Sequence, residues 1–243
     1  MHLQLFCPVC GKDIEHGRSS RSGICGVCGK EYSSYYFCPE GHNICDKCFI
    51  DALLDKISPD LKKLKTRDPI EAGFAIMNSA GFPIKGCAHY LVPPIAILIA
   101  YSNIAKDKIF TDRGRAIFDE AFDKSPMSLC RINGSCGIPY ACGETLTLLM
   151  PYLKMQFKDG AIGNKLTTEC LTVVAKNNEE LGKCCVRNTY LSILTTAKFF
   201  DKYMWVEMEL PTIIKCRYSK HNPKCKKEDC KFYNGYRTIP LVK

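Results

Sequence analysis

The 243-residue chain lacks the signatures of several large enzyme classes. It contains no phosphate-binding loop, no glycine-rich nucleotide fingerprint, no CxxxCxxC triplet for a radical-generating cluster and no serine-nucleophile elbow. Internal repeats and low-complexity tracts are absent as well. These absences leave the substrate unnamed, so the function has to be inferred from the residues that are present.

Little in the sequence indicates a membrane or a secretory pathway. Residues 1–6 carry no charged segment followed by a long apolar stretch, which a signal peptide would need. The most apolar stretch, residues 90–101, is too short to span a bilayer and predicts a buried helix that begins at Pro93 or Pro94. We therefore expect a cytoplasmic protein without a membrane anchor.

Cysteine, in contrast, is abundant. The chain has 17 cysteines, an odd number, and its 46% hydrophobic share is sufficient for a real core. An oxidising compartment would pair such thiols, whereas a reducing one keeps them free for metal binding or redox chemistry. The composition favours a reducing compartment in a cell that rarely meets oxygen, because oxidation would otherwise threaten many thiols.

Eight metal-type ligands lie within the first 48 residues, as four closely spaced pairs. A short gap lets both ligands of a pair reach one tetrahedral ion from a tight turn, and four pairs complete two zinc sites. So short a module cannot bury a core, so we expect the metal to supply its folding energy. The pairs are Cys7 with Cys10, Cys25 with Cys28, Cys38 with His42, and Cys45 with Cys48.

Two ways of sharing the ions are open. Sequential sharing joins pairs one and two, but then only two residues separate His42 from Cys45, which crowds two turns. Interleaved sharing joins pairs one and three, and pairs two and four, in a cross-braced arrangement like that of RING-type domains. We favour the interleaved arrangement. A disulfide scaffold is the weaker alternative, because no secretory signal is evident.

Beyond the zinc module the hydrophobic pattern is helical almost throughout. Asp68-Pro69 marks one helix start and Ser58-Pro59 marks one stop. Strand evidence is thin, since residues 205–210 alternate weakly and residues 212–216 could be extended. The predicted helices cover residues 48–57, 69–78, 94–104, 112–123, 138–150, 164–176 and 188–202.

The predicted fold is mainly α. A small cross-braced zinc-binding module, residues 1–48, precedes an all-helical Cys-rich domain, residues 49–204. A basic segment, residues 205–243, carries an irregular Cys cluster and is expected to pack on the helical domain.

Cys184 and Cys185 are the first candidate reactive residues. They come just before a predicted N-cap at Asn188 and are flanked by Lys183 and Arg187. A helix dipole and neighbouring cations lower a thiol pKa, which favours metal ligation or a nucleophilic sulfur. We assign both cysteines a catalytic role, the alternative being that they are adjacent by chance in a Cys-rich chain.

A glycine-rich stretch around Cys136 is the second candidate. Cys136 comes just before a predicted helix start at Ile138, where free amide groups would stabilise a thiolate. Glycines such as Gly137 and Gly143 let the backbone approach a cofactor or, alternatively, a neighbouring helix. We assign Cys136 and Gly137 to cofactor binding.

His89 is the third candidate. It lies just before the apolar helix and close to Cys87 in sequence, so it could act as a ligand or as a general acid or base at a Cys-lined pocket. The alternative is a structural histidine whose ring nitrogens are both hydrogen-bonded.

The C-terminal segment adds Cys216, Cys225 and Cys230. Their spacing nearly matches an RNA-binding CCCH finger, but Asn234 stands where the finger needs its histidine. A distant fourth thiolate has to complete the site, from Cys184, Cys185 or Cys136. Zinc and an iron–sulfur cluster are both compatible with four thiolates.

Positive charge is concentrated in the same segment. Residues 205–243 hold nine basic and four acidic side chains, whereas residues 1–48 hold five of each. Lysines interleaved with aromatic residues suit an RNA or protein partner that contacts residues 215–237. The alternative is that the lysines offset the negative charge of a thiolate-bound cluster while the aromatic rings shield it.

Several short motifs follow one another in a characteristic order. They are CPVC (7–10), CGVC (25–28), CPEGHNICDKC (38–48), DPIEAGFAIMN (68–78), GCAHYLVP (86–93), SCGIPYACG (135–143), KCCVRN (183–188), and Cys216, Cys225 and CKFY (230–233). Together they resemble an uncharacterised family of Cys-rich proteins from methanogenic archaea and other strict anaerobes, sometimes fused to radical-SAM or methyltransferase modules. The resemblance covers nearly the full chain and implies a double zinc-binding module, a helical Cys-rich domain and an anaerobic setting.

We therefore predict a metal-binding protein with two structural zinc ions and a second Cys-ligated site that holds zinc or an iron–sulfur cluster. Its expected role is redox, sulfur, or cofactor or RNA-modification chemistry in an anaerobe. The alternative is a non-catalytic adaptor that docks RNA or a protein through the basic segment. An enzyme needs at least one cysteine free to react, whereas an adaptor can have all of them ligated or buried. The sequence decides neither this choice nor the oligomeric state.

Overall fold

A computed structural model describes residues 6–79, 82–114, 116, 134–153 and 161–238. In these residues α-helices dominate, and the strands form two small antiparallel sheets. A hairpin with two Cys/His clusters forms the N-terminal part, and helices follow. The predicted fold, mainly α with a small Cys-rich module in front, is confirmed.

The N-terminal part is organised by a β-hairpin. β1 spans Glu15–Ile24 and β2 spans Glu31–Phe37, with Ile24 paired to Glu31 at one end and Glu15 paired to Phe37 at the other. The register slips once inside the hairpin, which marks a bulge. β2 is rich in tyrosine and phenylalanine, which favour strands, but β1 is mostly glycine, serine and charged residues, so local propensity does not predict the hairpin as a whole.

The first helix, α1, spans Asp46–Leu61. It starts inside the last ligand pair, because Cys45 is its N-cap and Cys48 lies in its first turn. The predicted stop at Ser58-Pro59 is wrong, because α1 continues through Pro59. A proline removes only one backbone donor near a helix end, and the buried Leu61 anchors the last turn.

The helical domain is centred on one almost wholly buried helix. Its helices are α2 (Pro69–Met77), α3 (Val92–Ala105), α4 (Gly137–Leu149), α5 (Ala161–Leu181) and α6 (Cys185–Met204). Every residue of α3 from Val92 to Ala100 is buried, and α3 packs against α2 and α6. The stretch Ala88–Ala105 is long and apolar enough to cross a membrane, but 83% of it is buried inside the protein, as in a core helix.

Most predicted helices agree with these bounds to within a few residues. The exception at α6 matters, because the predicted N-cap at Asn188 is wrong: Cys184 is the N-cap, and Asn188 lies buried in the first turn. The predicted helix over residues 112–123 lies mostly outside the described residues. The weak alternation over residues 205–210 forms no strand, since Trp205 ends α6 in a left-handed conformation with its side chain 81% exposed.

Two glycines set the contact between α4 and α5. A Cβ atom on Gly143 would collide with the carbonyl of Gly163 and the hydroxyl of Thr167, and a Cβ on Gly163 would collide with Thr147. Only glycine lets the two backbones approach this closely. Close helix packing, the alternative stated for Gly143, is therefore the observed use of that glycine.

The C-terminal segment folds back against α6. Two residues of β3 (Ile213–Ile214) pair with two of β4 (Tyr236–Arg237), and the short helix α7 (Lys231–Asn234) lies between them in sequence. Phe232 is fully buried, with its ring centroid 5.2 Å from that of Tyr190 on α6. This contact carries the C-terminal cysteines to the start of α6.

Candidate metal centres

Two tight turns of the same design present the first and second ligand pairs. In each, the backbone N–H of the first cysteine donates to a lysine carbonyl five residues on, at 2.8 Å from Cys7 to Lys12 and 2.9 Å from Cys25 to Lys30. A glycine with φ of 71° follows the second cysteine in both turns, Gly11 in one and Gly29 in the other. The left-handed conformation at this position favours glycine, because a Cβ atom is strained there.

The hairpin explains how the pairs combine. The turn that holds Cys25 and Cys28 connects β1 to β2, so this pair lies at the tip of the hairpin. The first pair comes just before β1 and the third just after β2, so both lie at the open end, where Glu15 pairs with Phe37. The fourth pair, at the start of α1, returns to the tip.

The ligands accordingly form two interleaved clusters. The first cluster is Cys7, Cys10, Cys38 and His42, and the second is Cys25, Cys28, Cys45 and Cys48. Within each, all the ligand atoms lie within 4.8 Å of one another. This geometry confirms the interleaved arrangement and rules out sequential sharing.

The sulfur spacing in these clusters fits one tetrahedral ion each. Sulfurs bound at about 2.3 Å to a single zinc ion lie about 3.8 Å apart. In the second cluster Cys25 Sγ lies 3.8 Å from Cys48 Sγ, and Cys28 Sγ lies 3.8 Å from Cys45 Sγ. In the first cluster the Nδ1 atom of His42 lies 3.3 Å from Cys38 Sγ, so Nδ1 is the ring nitrogen that faces the sulfurs.

Backbone donors favour the thiolate form at one cysteine of each cluster. Burial alone would raise the pKa of Cys25, but backbone N–H groups, including that of Cys45 at 3.3 Å from the sulfur, lower it to about 6. Burial is likewise overcome at Cys38, where hydrogen bonds from His42 and the backbone lower the pKa to about 6. A thiolate is the form that binds a metal ion.

A third group of cysteines lines one cavity of the helical domain. We call it the four-cysteine cavity, and its cysteines are Cys184, Cys216, Cys225 and Cys230. Cys184 caps α6, and the other three belong to the C-terminal segment, where Cys216 N donates to the carbonyl of Phe232 at 2.7 Å. Of the three proposed sources of a fourth thiolate, Cys184 lines the cavity, whereas Cys185 and Cys136 are not among its lining residues.

The cavity differs from the N-terminal clusters in its sulfur spacing. Among the described residues, no three of its four sulfurs lie within 4.8 Å of one another. A single tetrahedral ion would need them about 3.8 Å apart. The cavity as folded is therefore wider than a site for one shared ion.

Cations and amide donors surround these sulfurs. Four basic residues and no acidic one are among the lining residues: Lys183, Arg187, Lys224 and Lys226. The side-chain amide of Asn222 donates to Cys184 Sγ at 3.8 Å, and Lys227 N donates to Cys225 Sγ at 3.4 Å. The cavity is thus suited to hold negative charge.

The expected lowering of the Cys184 pKa is wrong. Burial raises the pKa of this thiol and outweighs the opposing effect of Arg187. Burial also raises the pKa of Cys216, to about 11. Nearby cations are visible in the sequence, but the desolvation that comes with the folded C-terminal segment is not.

Several buried polar atoms of α6 lack a partner among the described residues. They are Arg187 Nε, Asn188 Oδ1, Tyr190 OH and Ser192 Oγ. Leaving a buried donor or acceptor unpaired costs about 1–3 kcal/mol. Tyr190 and Arg187 both line the four-cysteine cavity, so two of these atoms belong to groups beside the sulfurs.

His89 is buried and both of its ring nitrogens have protein partners. Its Nε2 lies 3.0 Å from the carbonyl of Pro83, and its Nδ1 lies 3.1 Å from the hydroxyl of Thr189. Burial lowers the pKa of His89 to about 4, so the ring is neutral near neutral pH and Nε2–H donates to the carbonyl. This geometry fits the structural alternative, and the catalytic role stays a prediction.

The remaining candidate cysteines lie apart from the cavity lining. Cys136 is the N-cap of α4, and its sulfur accepts a hydrogen bond from the Asn188 side chain at 3.4 Å. Cys142 and Cys170 are both buried, and a hydrogen bond with Cys170, together with burial, raises the pKa of Cys142. The assignments of Cys136 and Gly137 to a cofactor, and of Cys185 to catalysis, remain predictions.

The fold and these sites define a Cys-rich protein with two clusters arranged to hold metal ions and a helical domain behind them. Residues 57–233 match a family of unknown function (DUF5714), and since they make up most of the 243 residues, the chain belongs to that family. No curated protein and no solved structure matches the chain. The matched residues contain the four-cysteine cavity, whereas the two N-terminal clusters lie before them.

Proposed function

We propose that this protein is a metalloprotein with two structural zinc ions at its N-terminal clusters and a third, thiolate-ligated metal group in the four-cysteine cavity. The third group is its functional centre and serves redox or sulfur chemistry. The observation that carries the proposal is the convergence of Cys184, Cys216, Cys225 and Cys230 on one cavity. Cysteines so distant in sequence meet because Phe232 anchors the C-terminal segment on α6.

Zinc suits the N-terminal clusters for a chemical reason. One cluster offers three thiolates and an imidazole, and the other offers four thiolates. Four protein ligands at tetrahedral spacing leave no open position for a substrate, which is typical of structural zinc. The roles of the two regions therefore differ: the N-terminal ions support the fold, and the cavity is left for chemistry.

The surrounding charge supports a metal group in the cavity. Four thiolates would repel one another, and the cationic side chains at the wall, such as Lys224 and Lys226, offset that repulsion. Lys231 is held over the rings of Phe232 and Tyr236, at 5.3 Å and 4.6 Å, instead of extending freely toward a phosphate backbone. Because Lys224 and Lys226 line the cavity itself, we favour charge compensation over RNA binding for these two lysines.

The proposal is tested by counting metals in the full-length chain purified without oxygen. We expect two zinc ions and a third metal group in the wild-type protein. Cys216→Ala or Cys230→Ala should lower the third occupancy and leave both zinc ions bound. Cys185→Ala is the matched control, since Cys185 neighbours Cys184 but does not line the cavity.

The opposite result is equally clear. A wild-type chain with two zinc ions and no further metal, even after anaerobic reconstitution with iron and sulfide, would refute the third site. Unchanged occupancy in both cavity variants would show that these cysteines are not ligands.

A docking role is the second candidate, and a groove next to the cavity favours it. Lys215, Arg217 and Lys220 line this groove together with Phe74 and Ile213. The Arg217 guanidinium lies 4.3 Å from the Phe74 ring centroid, and Ile213 is 52% exposed. Such a basic and partly apolar surface suits an anionic partner, whose binding should weaken steeply with salt.

A further inference from the structure

Two residues that line the four-cysteine cavity carry a hydrogen-bond donor with no acceptor among the described residues. The side chain of Tyr190 is fully buried and that of Arg187 is 3% exposed, yet Tyr190 OH and Arg187 Nε make no hydrogen bond. Buried donors in native proteins are nearly always paired with protein, water or a ligand. The acceptor for these two donors is therefore not one of the neighbouring protein groups. A ligand held in the cavity would supply it.

The neighbours of these donors show what kind of acceptor fits. The Tyr190 side chain lines the same cavity as Cys184 and Cys216. It nevertheless donates to neither sulfur. The Arg187 guanidinium is held in place by its Nη2 atom, which donates to carbonyls at the end of α5, including that of Asn177 at 3.3 Å. The buried Nε atom has no hydrogen-bond partner among the described residues.

We propose that the metal group in the cavity is an iron–sulfur cluster and that Tyr190 OH and Arg187 Nε–H donate hydrogen bonds to its sulfur atoms. This inference rests on the proposed function, since a third metal group must be present first. An iron–sulfur cluster contains inorganic sulfide ions, which can accept hydrogen bonds. These sulfides would accept from the two donors that have no protein acceptor. A lone zinc ion brings no acceptor.

The sulfur spacing supports the same assignment. In a cluster each cysteine binds a different iron atom, or shares one with a single other cysteine, so the thiolates stand further apart than around one ion. The four cavity sulfurs do not reach single-ion spacing, unlike those of the two N-terminal clusters. The sulfurs are therefore close together where a single zinc ion is proposed and further apart where an iron–sulfur cluster is proposed, as the two kinds of metal group require.

The donors have a definite effect on such a cluster. One-electron reduction by an added reductant makes the cluster more negative by one charge and needs no proton. Hydrogen bonds to cluster sulfurs stabilise the more negative state, so they raise the reduction potential. Tyr190 would donate a hydrogen bond to the cluster and so tune its reduction potential, without being one of its ligands.

The test compares two tyrosines of the same cavity. Tyr190→Phe removes the unpaired hydroxyl, whereas Tyr218→Phe removes a hydroxyl that already donates to Asn78 at 2.9 Å. The full-length proteins are purified without oxygen, and iron, zinc and acid-labile sulfide are measured. The midpoint potential is then determined by titration with dithionite, followed by visible absorption.

We expect iron and sulfide in all three proteins at equal content. Tyr190→Phe should lower the reduced-to-oxidised ratio at a fixed potential by about tenfold, which is about 59 mV for one electron. Tyr218→Phe should leave the potential close to that of the wild type. In the metal-free chain, by contrast, Tyr190→Phe should unfold at no lower denaturant concentration than the wild type, because the hydroxyl it removes has no partner there.

The outcomes separate this inference from the proposed function. A third zinc ion without sulfide would overturn the cluster and leave the third metal site standing. An iron–sulfur cluster whose potential is the same in Tyr190→Phe and Tyr218→Phe would overturn the role of Tyr190. A chain with no third metal group would remove both claims.

Discussion

The N-terminal clusters and the four-cysteine cavity bring cysteines together in opposite ways. In the clusters each ligand pair comes from one tight turn, and all ligand atoms of a cluster lie within 4.8 Å. In the cavity the sulfurs come from the start of α6 and from a segment that folds back over it, and they stand further apart. We therefore expect the N-terminal module to need metal in order to fold, whereas the helical domain must fold before its cysteines meet.

The largest expected effect is at the N-terminus. Cys38→Ala should release the metal of the first cluster and unfold the hairpin, because structural zinc contributes about 10–16 kcal/mol to comparable small modules. Hydrogen exchange at the amides of β1 and β2, with zinc content measured in parallel, checks this. Val9→Ala is the control, since Val9 lies in the same turn as Cys7 and Cys10 with its side chain 54% exposed. A hairpin whose amides stay protected after the loss of one zinc ion would show that the N-terminal module does not depend on metal for folding.

A smaller effect is expected at the cavity. Cys230→Ala should change the unfolding free energy of the metal-free chain by less than about 1 kcal/mol, because Cys230 is only partly buried. Phe232→Ala, two residues away and fully buried, should cost about 3–5 kcal/mol. Denaturant titration of the helical signal by circular dichroism measures both. Unfolding of the helical domain by Cys230→Ala would mean that the cavity resembles the N-terminal clusters after all.

One histidine from each region, His42 and His89, shows the same contrast. His42 turns Nδ1 toward sulfurs, whereas His89 bonds both nitrogens to protein atoms and has a pKa lowered to about 4. Because an unfolded histidine titrates near 6.5, the unfolded chain binds the extra proton first as pH falls. Above a pH of about 6.5 the neutral His89 therefore costs the folded chain nothing. Between a pH of about 6.5 and about 4 the unfolding free energy falls, by up to about 1.4 kcal/mol per pH unit.

Replacing His89 by glutamine keeps one donor and one acceptor and removes this proton-linked loss. We expect His89→Gln to flatten the fall in unfolding free energy between pH 6.5 and 5 relative to the wild type, measured by denaturant titration at each pH. The exposed His221→Gln is the control for loss of a histidine. Equal slopes in the wild type and His89→Gln would contradict the burial of a neutral ring.

The smallest expected effect concerns RNA. If Lys224 and Lys226 offset the charge of a metal group, replacing both by glutamine should lower the content of the third metal and change RNA binding little at any salt concentration. Fluorescence anisotropy with a labelled single-stranded RNA, run beside metal analysis, separates the two roles. Tight, salt-sensitive binding that the double variant abolishes, with metal content intact, would favour the adaptor instead.

The sequence allowed some parts of the site to be predicted and not others. The ligand pairs follow from gaps of two or three residues in the sequence. The crowding between His42 and Cys45 only favoured interleaving, and the folded clusters decide it. The convergence of Cys184 with the C-terminal cysteines was one of three options, and burial of Phe232 decides it. The unpaired Tyr190 hydroxyl had no signal in the sequence, because a tyrosine at a buried helical position usually finds a partner.

The same division applies to the fold. Helices α2 and α3 follow from an N-cap, prolines and an apolar run, which act over a few residues. The hairpin does not, since β1 has little strand propensity and the ligand pairs that flank and connect the strands come together only in the folded chain. The start of α6 at Cys185 was also not predicted. Asn188 is by residue type the better N-cap, but it is buried within the first turn of α6, where its side chain donates to Cys136 Sγ.

By itself the sequence determined which residues can bind metal in the N-terminal module, since each ligand pair is closed by one turn and turn geometry is local. It also determined that the rest is helical, through periodicity and caps. Only the tertiary structure decided which distant cysteines share a cavity, whether burial or charge controls their pKa, and which hydroxyl lacks a partner. Those properties depend on desolvation and on contacts between segments far apart in the chain, and these exist only once the chain has folded.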